Sequence, residues 1–134
     1  MMLYTDSAID DQTVAYTIAV QPYFEDLKQV AAQLAGLLVL EASGAAPDHP
    51  MLTSADQTYQ NAVDGLKSAR VPARARRHYD HLLAAAAKLH EALHGSGDRL
   101  VPLEGAYNEL RSASRTLPGF QMISFERGCC AVKK

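Results

Sequence analysis

The sequence is short of the features that usually declare a function. Lysine and arginine number 13 against 15 aspartates and glutamates, a net charge of -2. No strong field of either sign can then steer a nucleic acid over the surface, and a local basic patch is the most this balance permits. The run of large aliphatic residues Leu37 to Leu40 falls far short of the ~20 residues that cross a bilayer. No membrane partner is therefore expected. The only two cysteines, Cys129 and Cys130, are adjacent and cannot build the disulfide framework of a small secreted domain. The opening residues, MMLYTDSAIDD, carry neither the basic nor the apolar stretch of a secretory leader. A cytoplasmic location is the expectation. Internal repeats are absent, and the alanine run Ala84 to Ala87 is the one stretch of low complexity.

What is present is helical periodicity. A hydrophobic share of 48% in 134 residues is enough for one domain with a single core and argues against disorder. From Pro22, the residues Phe24, Leu27, Val30, Ala31, Leu34, Leu38 and Glu41 recur at three- and four-residue spacing up to Gly44, a helical stripe with a good terminator. Upstream, Val14, Tyr16, Ile18 and Val20 alternate as a strand would, while Ile9, Tyr16, Val20 and Phe24 nearly continue the helical stripe. An isolated strand needs a partner, so a long first helix, kinked or broken near Pro22, is the preferred expectation. Leu37 to Leu40 is apolar on every side of one turn, which places that turn either deep in the core or against a partner chain.

After a loop from Gly44 to Pro50, a second helix carries Leu52, Ala55, Tyr59, Ala62, Val63, Leu66 and Ala69, with Ser54 and Gln57 spaced as a capping box. A third runs from about Pro72 to His94 on Tyr79, Leu82, Leu83, Ala86, Leu89 and Leu93, stopped by Gly95. A fourth opens at Asp98 and carries Leu100, Leu103, Ala106, Tyr107, Leu110, Ala113 and Leu117. Tyr59, Tyr79 and Tyr107 fall on these apolar stripes and read as packing residues. The expected fold is all-α: one antiparallel up-and-down four-helix bundle over residues 1–134, with a lead over 1–6 and an irregular tail over 118–134. Phe120, Met122, Ile123 and Phe125 would anchor that tail.

The stretch KLHEALHGSGD, Lys88 to Asp98, contains HExxH. Histidines at i and i+4 share one helical face, as zinc ligation requires, and the glutamate between them can activate a zinc-bound water. Further on, Asn108-Glu109-Leu110-Arg111-Ser112 is similar to the NExxS element of the gluzincin peptidases. That resemblance covers two five-residue windows and implies a zinc hydrolase with Glu109 as third ligand. Helix geometry opposes the implication. The turn from Gly95 to Asp98 is too short for anything but an antiparallel hairpin, in which His90 lies roughly 6 Å below the turn and Glu109 roughly 16 Å below it. Glu104, roughly 9 Å down, is the more reachable carboxylate but lies outside the family's motif. A metzincin pattern, HExxHxxG, is matched as far as Gly97 and then puts its third ligand at Leu100. The leading expectation is a helix end whose imidazoles complement the dipole. The alternative is a zinc site of His90, His94 and Glu104, hydrolytic only if Glu91 acts as general base.

Lys67, Arg70, Arg74, Arg76 and Arg77 gather at the junction of the second and third helices, a patch able to hold an anion or an acidic partner. Only Tyr79 accompanies it, so no nucleic-acid module is indicated. His78 and His81 stand about one turn apart on the third helix, but Glu25, Glu41, Glu104 and Glu109 are not spaced with histidines as a di-metal bundle requires. Cys129 and Cys130 suggest a thiol sensor or soft-metal ligand as a further alternative. The reading favoured by the whole is a non-catalytic bundle without a cofactor, acting by association with itself, as a homodimer, or with another protein.

Overall fold

The computed structural model describes residues 11–44, 49–95 and 97–117. Among these residues there are four α-helices and no strand: α1 (Asp11–Ala42), α2 (His49–Lys67), α3 (Arg76–His94) and α4 (Leu100–Ser114), with a 3-10 turn over Ala73–Ala75 leading into α3. The tail anchor Phe120, Met122, Ile123 and Phe125, the lead over residues 1–6, and Ile9 lie outside the described residues.

The helical period prevails in the ambiguous segment. Of the alternating set, Tyr16 and Val20 are buried while Val14 and Ile18 are exposed; a strand would put all four on one face, whereas a helix pairs residues four apart and separates the two pairs. Tyr16 and Val20 thereby extend the core stripe of Phe24, Leu27, Val30, Leu34 and Leu37. α1 continues through Pro22 without a break. Pro22 is exposed, and the carbonyl deprived of its partner belongs to Ile18, on the solvent side, where water can take the bond. The C-terminus of α1 closes as its sequence suggests. Ser43 bonds back to the Leu40 carbonyl through both N–H and Oγ, and Gly44 takes φ 95°, a conformation that glycine adopts without strain.

α2 begins earlier than a cap at Ser54 would place it. Pro50 sits in its first turn, where the missing N–H costs nothing. Ser54 is already inside the helix, with its carbonyl taken by the Thr58 hydroxyl, and Gln57 turns toward Asn61 instead of back to Ser54. α3 starts through the 3-10 turn after Pro72 and stops at Gly95, whose N–H bonds to the Glu91 carbonyl at 2.8 Å. Asp98 caps the start of α4 by accepting the Leu100 N–H at 2.9 Å.

The helices pack as two antiparallel hairpins, α1 with α2 and α3 with α4, and α1 also touches both members of the second hairpin. Phe24, Leu27, Leu34, Leu37, Leu66, Leu82, Leu89 and Leu110 are fully buried between them, each stabilising the fold by about 1.5–3 kcal/mol through removal of apolar surface from water. Gly65 lets α1 and α2 approach, because a Cβ there would run into the Tyr23 ring. At 32 residues against 19 for α2, α1 outlasts its hairpin partner. Its first three turns therefore meet the α2–α3 connection and the start of α3. The apolar turn Leu37 to Leu40 is divided: Leu37 is buried and Leu38 packs against the core, while Val39 and Leu40 face out. No helix among the described residues is long and apolar enough to cross a membrane.

Candidate functional site

The HExxH string falls on the last turn and a half of α3, its histidines and glutamate on the side facing away from buried Leu89, Ala92 and Leu93. His90, Glu91 and His94 are all exposed. The two imidazoles lie side by side, ring centroids 4.7 Å apart, as the i, i+4 spacing demands. What they meet is not a third ligand from α4 but the middle of α2. His94 Nε2 stands 3.0 Å from Asp56 Oδ1, and the His90 ring tilts against Tyr59 at 5.9 Å. Among the described residues no three histidine, cysteine, aspartate or glutamate side chains are grouped so as to hold a metal ion, so His90, His94 and Glu104 do not converge.

The α3–α4 register explains this. Gly105 lies against the Lys88 side chain, and Glu109 Oε1 meets His81 Nδ1 at 2.7 Å, more than two turns from His90. Glu109 is engaged there and unavailable to the HExxH pair, which is the outcome the short turn dictates. The NExxS-like element is a helix surface carrying a half-buried histidine–carboxylate contact. No hydrolytic role for Glu91 finds a third metal ligand among the described residues.

The basic cluster does assemble at one end of the bundle: Lys67 ends α2, Arg70 lies in the connection, Arg74 in the 3-10 turn, and Arg76 and Arg77 begin α3. Its members are not equivalent. Arg76 lies over the Tyr79 ring with Nη1 4.0 Å from Asp80 Oδ1. Arg70 lines a cleft beside α1. Cys129 and Cys130, the thiol alternative, lie outside the described residues.

The most unusual side-chain contact joins residues that nothing in the sequence connects. His78 is completely buried, and its Nδ1 stands 2.7 Å from the Tyr16 hydroxyl, the direction of the bond depending on the tautomer. The rings meet edge to face at 5.5 Å. Burial strongly disfavours the imidazolium, and His81 nearby adds to this, so the His78 pKa is lowered to about 4. Burial, with the Tyr79 phenol beside it, likewise pushes the Tyr16 phenol well above its ordinary value. Both groups are neutral at pH 7. A neutral, buried pair of this kind ties α1 to α3. Sequence reading missed it because His78 interrupts an apolar stripe as any surface histidine would. The only available signal was its register, four residues before Leu82 on the buried line of α3.

A further polar tie closes the opposite end, where Arg99 in the α3–α4 turn reaches Glu41 of α1 at 3.4 Å. No protein-family model matches the chain, and no curated protein or solved structure matches it either.

Proposed function

We propose that this chain is a non-catalytic cytoplasmic helical bundle that acts by association through the outward face of α1, forming a homodimer. The observation that carries this reading is the exposure of aliphatic side chains on that face: Ile18 is 69% exposed and Val39 68%, with Val14 and Leu40 also exposed. Val14, Ile18, Pro22, Glu25, Gln29, Ala32, Gly36 and Val39 follow one another at three- or four-residue spacing and are all exposed. They form one line along nearly the whole helix, broken by a single charge. A face of that kind, on the helix that contacts every other helix of the bundle, suits a protein partner better than water.

The line also has a self-complementary layout. Branched aliphatic residues stand at both ends, Glu25 and Gln29 hold the middle of the face, and the small residues Ala32 and Gly36 lie toward its C-terminal end. Two copies packed antiparallel through a two-fold axis would set Val14 and Ile18 of one against Val39 and Leu40 of the other. No group of three or more histidine, cysteine, aspartate or glutamate side chains placed to hold a metal ion competes with this reading among the described residues. The test is the mass in solution by light scattering over a concentration series. Twice the chain mass, falling toward one on dilution, supports the homodimer, and a single-chain mass throughout overturns it.

A further inference from the structure

We infer that the cleft beside the first turns of α1 is a binding site for a small amphipathic carboxylate, its apolar body lying on Ala15, Ala19, Val71 and Pro72 and its carboxylate on Arg70. The cleft exists because α1 outlasts α2. The chain leaving α2 crosses beside α1 over side chains as small as Ala15 and Ala19, and leaves about 500 Å³ unfilled. That volume lies within the about 300–1,000 Å³ common to small-ligand pockets, as does an apolar lining with few polar groups. One wall is fixed in advance, since Tyr16 is tied to buried His78, so the site requires little ordering when it fills.

Charge decides the ligand class. Arg70 makes no ion pair among the described residues, whereas Arg76 is taken by Asp80 and Tyr79, and Arg99 by Glu41. Its guanidinium fork is therefore available for two-point contact with a carboxylate. Asp11 also lines the cleft, but in the first turn of α1 its charge already complements the helix end. With Asp11 present the formal charge of the lining is zero, so a phosphate would leave more uncompensated charge there than a carboxylate held on the Arg70 fork. Gln12 completes the polar rim.

The test is an amide-resolved NMR titration of the full chain with octanoate, octanol and octylamine, compounds matched in chain length and differing in head group. Octanoate should shift the amides of Ala15, Ala19 and Val71 and bind about tenfold more tightly than octanol. Arg70→Met should reduce octanoate to the level of octanol. Ala19→Phe, an exposed position that tolerates bulk, should weaken both. The inference is overturned if the acid and the alcohol bind equally, if octylamine binds more tightly than octanoate so that Asp11 is the anchor, if Arg70→Met leaves octanoate unaffected, or if no probe shifts these amides at about 10 mM, a concentration that exceeds even a millimolar Kd.

Discussion

The two faces of α1 are made of similar residues and lie in opposite surroundings. The inward face, Val20, Phe24, Leu27, Val30, Leu34 and Leu37, is wholly or almost wholly removed from water. The outward face carries Val14, Ile18, Val39 and Leu40 in solvent. Single exposed aliphatic side chains are ordinary on a monomer, and what sets these four apart is that they lie along one side of one helix. The difference separates two kinds of apolar residue: those that specify the bundle and those left over once it is built.

The comparison breaks most visibly on the inward face. Phe24→Ala removes a fully buried ring from the centre of the core and should destabilise the protein by about 3–5 kcal/mol in denaturant unfolding. Next in size is the response to acid of the region where α1 outlasts α2. His78 stays neutral in the folded protein down to a pKa of about 4, against 6.5 for an ordinary histidine. The unfolded chain takes up the proton first, so this contribution is complete above pH 6.5 and is lost as the pH falls toward 4. The gap corresponds to about 3 kcal/mol. Unfolding curves from pH 7 to 4 should show that loss, and His78→Asn should flatten the profile by a similar amount.

Tyr16→Phe keeps the ring and removes the hydroxyl that meets His78, for an expected cost of about 1–2 kcal/mol. The smallest effect belongs to the motif that looked most functional. His94 and Asp56 are both about half exposed, so His94→Ala should change stability by about 0.5 kcal/mol or less. Thermal unfolding with added zinc, before and after that substitution, checks the same point: a zinc-dependent rise in Tm that His94→Ala abolishes would restore the metal-site reading.

Helix number, order and most of the facing were legible because each buried stripe repeats at the helical period and each loop contains glycine or proline, although Leu83 and Leu100, read onto core stripes, are exposed. Even the failure of Glu109 to reach His90 and His94 followed from the length of one turn. Start points were less legible: Pro50 opens α2 earlier than Ser54 and Gln57 suggest, because a missing N–H costs nothing in a first turn. The contacts that shape the candidate sites were hidden for a different reason. Tyr16 and His78 are 62 residues apart, Asp56 and His94 38, and Glu41 and Arg99 58. Such pairings depend on which helix faces which, and a periodic stripe states only that a face is buried. The division of the turn Leu37 to Leu40 was equally out of reach, since all four residues are equally apolar and only the position of α2 and α4 decides which are covered.

The association of α1 with a second copy is tested most directly by exchanging charge across the antiparallel arrangement. Ile18→Glu and Val39→Lys are made singly and together, and the mass in solution is measured for each. Both positions are exposed in the single chain, so neither change should alter its fold. The account predicts a dimer for the native sequence, monomers for each single change, and recovery of the dimer when both are combined, because each glutamate then meets a lysine of the other copy. A native chain that stays monomeric, or a dimer indifferent to either charge, would contradict it.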